Sequence, residues 1–210
     1  YIMFARSLSL CSESFFLFGP RGVGKSTFLK MNATFDLEIN LLHQDLYLKY
    51  LSHPSLLRDQ VLALKKPAWV WIDEVQKIPT LLDEVHFLIE EGYKFALSGS
   101  SARKLKRVGS NLLAGRAITI FMDPFGFIEI KQKWDLKERV LWGNLPLVVN
   151  RPQLQKQTLR TYVNTYLKEE IQLEGYVRKL DPFIRFLEVA AIMNGQVINA
   201  SSLAREAQVS

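Results

Sequence analysis

The sequence predicts an α/β fold: a mostly parallel sheet with helices on both faces, followed by a mostly helical C-terminal region. Three observations carry this expectation. Short strand-like runs alternate with helix-like runs over residues 14–122, the pattern of strands joined by right-handed helical crossovers. A glycine-rich loop joins the first strand to the first helix. After Asp123-Pro124 the alternation stops and the chain reads as helices.

The elements follow in order. Ser14 to Phe18 is apolar and aromatic and is bounded by Gly19-Pro20, as a buried strand would be. Residues 24–31 read as a helix, and residues 35–41 alternate polar with apolar side chains as a second strand. Pro54 suits the first turn of a helix, and Leu56, Leu57, Val61, Leu62 and Leu64 follow at roughly helical spacing. Residues 68–72 form a fully apolar third strand. Pro79 opens a helix whose Leu81, Leu82, Val85, Leu88 and Ile89 make one apolar stripe. Residues 94–98 and 117–122 are the fourth and fifth strands. Beyond residue 125 the helical pattern breaks at 143–146 and 150–152, then resumes as a long helix over 153–174 and another over 183–194. Residues 197–210 read as one more helix approaching a turn. Three regions result: 1–130, a helical connector over 131–175, and the start of a helical domain over 176–210.

Composition excludes several function classes. Hydrophobic residues make up 48% and charged residues 23%, ordinary for a globular chain. The single cysteine, Cys11, excludes an internal disulfide and a Cys-based zinc site. His43, His53 and His86 lack metal-ligand spacing, and no Gly-x-Ser-x-Gly elbow supports a serine hydrolase. The longest apolar runs are too short to cross a bilayer, so no membrane partner is expected. No long apolar stretch follows a basic start, so no signal peptide and a cytoplasmic location are expected. The chain starts at Tyr1 rather than Met and reads as a trimmed or excised piece.

The net charge is +6. Residues 101–160 hold 12 basic and 4 acidic side chains, while the rest of the chain is nearly balanced. The excess is densest at Arg103, Lys104, Lys106 and Arg107. Such a stretch is either a solvated helix face or a patch that attracts nucleotide phosphates or nucleic acid.

The sequence Gly19-Pro20-Arg21-Gly22-Val23-Gly24-Lys25-Ser26 satisfies G-x-x-x-x-G-K-[ST], the phosphate-binding loop of the P-loop NTPases. Its glycines let successive backbone N–H groups turn toward phosphate oxygens, and the following helix N-terminus adds partial positive charge. Lys25 is expected on a surface loop, reaching the β- and γ-phosphates, with the Ser26 hydroxyl on Mg²⁺. Thr27 falls near the α-phosphate, and Arg21 is expected to be solvated. Ala68-Trp-Val-Trp-Ile-Asp73-Glu74 supplies the acidic partner. Asp73 would hold Mg²⁺ and Glu74 would polarise the attacking water; the alternative is a pair of carboxylates capping the next helix.

Four segments in series carry a family resemblance. They are Phe-Gly-Pro-Arg-Gly-Val-Gly-Lys-Ser (18–26), Trp-Ile-Asp-Glu-Val-Gln-Lys-Ile-Pro (71–79), Leu-Ser-Gly-Ser-Ser-Ala-Arg-Lys-Leu (97–105) and Leu-Leu-Ala-Gly-Arg-Ala (112–117). With residues 166–171 and 186–199 they resemble the prokaryotic AAA+-like P-loop ATPases that carry a C-terminal domain of unknown function. The resemblance implies an ATPase domain over 1–130, with ATP and ADP as ligands. It implies that the strand at 94–98 separates the loop-bearing strand from the acidic one. The end of that strand would offer a polar sensor for the γ-phosphate; Ser98, Ser100 and Ser101 compete, with Ser100 favoured among them, and the alternative is a plain serine turn. It also places Arg116 where oligomeric AAA+ proteins carry an arginine finger, the alternative being a surface arginine. A homo-oligomer follows from the finger reading.

Residues 195–210 resemble the start of a winged helix-turn-helix, or a generic helical lid. The chain ends before a recognition helix, so DNA binding is expected to be weak and without sequence preference. Two rivals to an ATPase stand: a nucleotide-gated DNA-binding regulator, and an interaction scaffold in which nucleotide is structural.

Overall fold

A computed structural model describes residues 5–100, 102, 105, 112–130, 135–167, 171 and 180–208. Arg103, Lys104, Lys106, Arg107 and Ser101 lie outside the described residues. The chain divides into two compact units, residues 1–159 and 160–210.

The first unit is built on five strands, β1 (Phe15–Phe18), β2 (Leu37–Asn40), β3 (Trp69–Asp73), β4 (Lys94–Gly99) and β5 (Ile118–Phe121). They pair in the order β2-β3-β4-β1-β5, and every pairing is parallel. β4 therefore lies between β3 and β1, as the resemblance implied. Side chains alternate between the faces, and two clusters show the result. Phe16, Phe18, Val70, Ile72, Phe95 and Leu97 pack on one face. Phe15, Leu17, Trp71 and Ala96 pack on the other.

Each face has its own helices. α1 (Lys25–Asn32) covers the second face with Phe28 and Leu29. The first face is covered by α2 (Gln44–Ser52), α3 (Leu56–Leu62) and α4 (Leu81–Glu90), through Tyr50, Leu57, Val61, Leu81, Leu82, Val85 and Leu88. The sequence did not announce α2. Its Leu48 and Leu51 are exposed, so its leucines do not make one apolar stripe.

After β5 come α5 (Phe127–Ile130), α6 (Leu136–Trp142), α7 (Pro146–Val149) and α8 (Gln155–Thr161). Asp135 caps α6 by accepting from Glu138 N at 2.8 Å, and Gly143 ends it at φ 71°. Within the long helix expected over 153–174, Gln155–Thr161 is α-helical and Tyr162–Leu167 is π-helical, while residues 168–170 and 172–174 lie outside the described residues. Val163 and Thr165 are β-branched and Asn164 is a poor helix former, so this stretch holds α geometry weakly.

The second unit contains α9 (Leu180–Ile192) and α10 (Ala200–Glu206). Asn199 caps α10 by accepting from Ser202 N at 3.1 Å. Arg185 Nε donates to Ala207 O at 3.3 Å, and Gln208 takes the left-handed φ of 53°. Among the described residues no helix is long and apolar enough to cross a membrane.

The sheet fixes the loop at one point above all. Met122 N donates to Phe18 O at 2.8 Å, which brings the end of β5 against Gly19. A Cβ on Gly19 would lie 2.1 Å from the Met122 carbonyl oxygen. That neighbour is backbone and cannot rotate away. Gly19→Ala is therefore expected to lower stability by about 3 kcal/mol, read as a lower urea midpoint. An unchanged midpoint would show that the two chain segments are not in contact.

Candidate functional site

Parallel strands bring their C-terminal ends to one edge, and ligands bind in the crevice there. Register decides which residues meet. Asp73 lies opposite Ser98, and Phe18, the last residue before the loop, lies opposite Gly99. The glycine loop, Asp73-Glu74 and the Ser98–Ser100 turn thus share one edge.

The loop runs from Gly19 to Gly24, with left-handed φ of 80° at Gly22 and 90° at Gly24. Only glycine adopts these angles without strain. The first helical bond of α1 runs from Phe28 N to Gly24 O at 2.8 Å. The N–H groups at the start of α1 precede it, and helix geometry turns them toward the loop. Val23 is 1% exposed and packs with Phe15, Leu17 and Trp71. Its side chain pins the loop to the sheet, so only its backbone is available to phosphate.

Lys25 differs from its expected place on a surface loop. It is 7% exposed, and its Nζ donates to Gly19 O at 2.6 Å and Pro20 O at 3.1 Å. These two loop carbonyls satisfy the ammonium and hold it inward. Arg21 is also not solvated as expected. It is half-buried and lines the cleft, because residues 145–151 close the loop from that side. A Cβ on Gly22 would lie 3.3 Å from Leu147 Cβ.

Ser26 and Asp73 meet. Ser26 Oγ donates to Asp73 Oδ2 at 2.9 Å. Ser98 Oγ donates to Asp73 Oδ1 at 2.6 Å and accepts from Trp71 Nε1 at 2.8 Å. Trp71 and Asp73 are two apart on β3, so they share a face with Ser98 and with α1. Ser98 is fully buried and committed to this ladder. Ser100 is half-buried, and its Oγ accepts from Gln76 Nε2 at 3.2 Å. Glu74 sits at φ 60°, a strained angle for a residue with a side chain. Gln76 Nε2 donates to its Oε2 at 2.5 Å.

A cleft of about 700 Å³ opens over the loop, a volume that suits a nucleotide-sized ligand. It is lined by Arg21 to Thr27 and by Glu74. Asp73, Ser100, Gly19, Pro20 and Arg116 are not in its lining. Asp73 reaches it through Ser26. Arg116 precedes β5, at the opposite end of the sheet. It is exposed and pairs with Glu90, Nη2 to Oε1 at 2.6 Å. That hydrogen bond and charge, with a smaller contribution from His86, hold the Glu90 carboxyl below the usual carboxylate range.

The far wall was not legible in the sequence. Ala5, Arg6, Phe125, Pro146, Leu147, Asn150 and Arg151 line it. Arg6 lies over the Phe125 ring at 4.7 Å. It donates to Asp123 O and pairs with Glu129 at 3.4 Å. Its Nε meets Glu129 as an ion pair without a well-aligned hydrogen bond, and its Nη1 is buried without one. Burial pulls the guanidinium below its ordinary range, with Glu129 and Asp123 opposing the shift. Glu129 accepts from Ser7 N at 2.7 Å, Ser7 Oγ at 3.1 Å and Gly126 N at 2.7 Å. Burial alone would raise its carboxyl. The hydrogen bonds from Ser7 and Gly126 and the charge of Arg6 outweigh burial and hold it below the usual range.

The sign of the pH effect follows. A carboxyl held below its unfolded value stabilises the fold above that value, and the gain is lost as pH falls through the folded one. The window therefore lies below pH 4.5. Glu129→Gln is expected to cost about 2 kcal/mol at neutral pH. The gap to wild type should narrow at about pH 3, measured by urea denaturation at both values. A gap that does not change with pH would show that the Glu129 charge does not anchor this wall.

Comparisons with known proteins bear on the identity of the domain. No curated protein sequence matches the chain. Among solved structures, the Aeropyrum pernix ORC1 protein in complex with DNA is similar at 12% identity and a TM-score of 0.44, over 92% of this chain. This chain spans 58% of that protein's length. The Aeropyrum pernix ORC2 protein in its ADP form is similar at 14% identity and a TM-score of 0.45, over 94% of this chain and 73% of that one. The replication initiator DnaA bound to AMPPCP and single-stranded DNA is similar at 14% identity and a TM-score of 0.45, over 93% and 70%. Residues 133–210 match a family described as a domain of unknown function (DUF8612). Residues 12–131, more than half of the chain, match the family described as AAA domain, and the protein belongs to it.

Proposed function

We propose that the chain binds ATP with Mg²⁺ and hydrolyses it by attack of water on the γ-phosphate. The observation that carries this is the Ser26–Asp73 contact of 2.9 Å beside the loop. Mg²⁺ prefers hard oxygen donors, takes one or two carboxylates, and leaves other positions to phosphates and water. A serine hydroxyl and an aspartate carboxyl already in contact fit that set. Among the described residues no group of three His, Cys, Asp or Glu forms a metal cluster, so the remaining ligands in this reading come from the nucleotide. Bound there, the ion would neutralise charge on the β- and γ-phosphates.

The chain's own groups do the rest in this reading. Backbone N–H groups of the loop and of the first turn of α1 bind phosphate oxygens. Lys25 exchanges the Gly19 and Pro20 carbonyls for the β- and γ-phosphates. Glu74, on the cleft wall, orients a water and takes its proton. The water oxygen bonds to the γ-phosphorus, and the bond to the β,γ-bridging oxygen breaks, leaving ADP and phosphate. Ser100 donates its hydroxyl proton toward the γ-phosphate. Arg116 enters only in a homo-oligomer, on a neighbour's nucleotide, after leaving Glu90.

The test pairs two variants with binding and turnover assays. Lys25→Ala is expected to abolish nucleotide binding by calorimetry, with a folded circular dichroism spectrum. Glu74→Gln keeps the size of the side chain and removes its charge. It should bind ATP normally and lose turnover by roughly 10²-fold or more. Wild-type turnover in Glu74→Gln would remove Glu74 as the base, and undiminished ATP affinity in Lys25→Ala would remove the loop as the phosphate site.

A further inference from the structure

Gln76 belongs to none of the roles above, yet it touches two of the groups proposed for catalysis. It lies in the 3-10 turn Val75–Lys77 that follows Glu74. Its side chain is 6% exposed. Its Nε2 donates one proton to Glu74 Oε2 at 2.5 Å and the other to Ser100 Oγ at 3.2 Å. Its Oε1 is buried and has no donor. A polar side chain buried this way, with one of its two polar atoms unsatisfied, costs free energy, and its two donated bonds are what hold it there.

The orientation of the amide is fixed by chemistry. A carboxylate only accepts, and so does an amide oxygen. Turning the amide over would set its oxygen against Glu74, so the NH₂ group must face the carboxylate. The oxygen then points at the backbone of Gly99. A Cβ on Gly99 would lie 2.1 Å from Gln76 Oε1. Glycine at this position is what admits the amide, and it explains a small residue at the end of β4.

We propose that Gln76 is a positioning residue that couples Glu74 to Ser100. This rests on the reading of Glu74 as the base. One amide proton holds the Glu74 carboxylate against the strain of its left-handed backbone. The other occupies a lone pair of Ser100 Oγ, which leaves the serine's own proton to point outward to phosphate. The water-activating carboxylate and the phosphate-facing hydroxyl are thereby held at a set separation. A misplacement of about 1 Å at such a site can cost on the order of 10²-fold in rate.

The experiment is ATP turnover and ATP affinity for Gln76→Leu, in the wild-type and in the Glu74→Gln background. Gln76→Leu alone should lower kcat by about tenfold or more with KM and Kd within about twofold. In the Glu74→Gln background it should lower the residual rate by a clearly smaller factor than in the wild type, because no carboxylate remains to be positioned and only the Ser100 contact is lost. A structural role would lower the rate and the affinity in both backgrounds. Gly99→Ala provides an independent route, since it displaces the amide and leaves Gln76 in place; it should reproduce the loss of kcat at unchanged affinity. Normal turnover in Gln76→Leu and Gly99→Ala, with Glu74→Gln inactive, overturns the coupling alone. Normal turnover in Glu74→Gln overturns the base assignment, and the coupling with it. Equal losses from Gln76→Leu in both backgrounds also overturn it.

Discussion

Asp73 ends the third strand with a carboxyl group that is only 4% exposed, and the site is arranged around satisfying it. A buried carboxyl group needs donors, and the chain supplies them from two elements. Ser98 comes from β4 by register. Ser26 comes from the first turn of α1, which the glycine loop sets down on the same face. Trp71 does not touch Asp73 but fixes the Ser98 hydroxyl that does. Removing any member leaves a polar atom without a partner in a dry place.

That constraint links fold to function. Parallel pairing puts β3 and β4 in the register that meets Asp73 with Ser98. β1 must lie beside β4 for the loop to rise at the same edge. Gly19 must lack a side chain for β5 to close against that edge. The strand order is therefore what brings a phosphate loop and an acidic strand end together. Lys25 follows the same logic: its ammonium donates to carbonyls of the loop it belongs to.

Much of this was legible in the sequence. The strands show because β1, β3 and β4 are buried on both faces and read as short continuous apolar runs between turn residues. The loop shows because its glycines and lysine have fixed spacing. The pairing of Ser98 with Asp73 had a signal in the two-residue alternation of Trp71 and Asp73, which sets them on one face. Other features had none. The wall made by Arg6, Phe125 and Glu129 joins residues over a hundred positions apart, and neither end carries a motif. α2 escaped because two of its leucines face solvent. The role of Gln76 depends on a strained backbone angle at Glu74 that spacing does not reveal. The inward turn of Lys25 and the half-buried place of Arg21 had no signal either, because they depend on loop carbonyls and on residues 145–151, which the motif does not specify.

The central claim is that the Ser26–Asp73 pair is the seat of a magnesium-bound nucleotide. Calorimetric titration of ATP into the protein, with Mg²⁺ and then with the metal chelated, tests it most directly. The account predicts one site per chain whose affinity falls by about tenfold or more on chelation, and a Ser26→Ala variant that binds with low affinity whether or not Mg²⁺ is present. ATP affinity that is the same with and without Mg²⁺, or no binding in either condition, would contradict it.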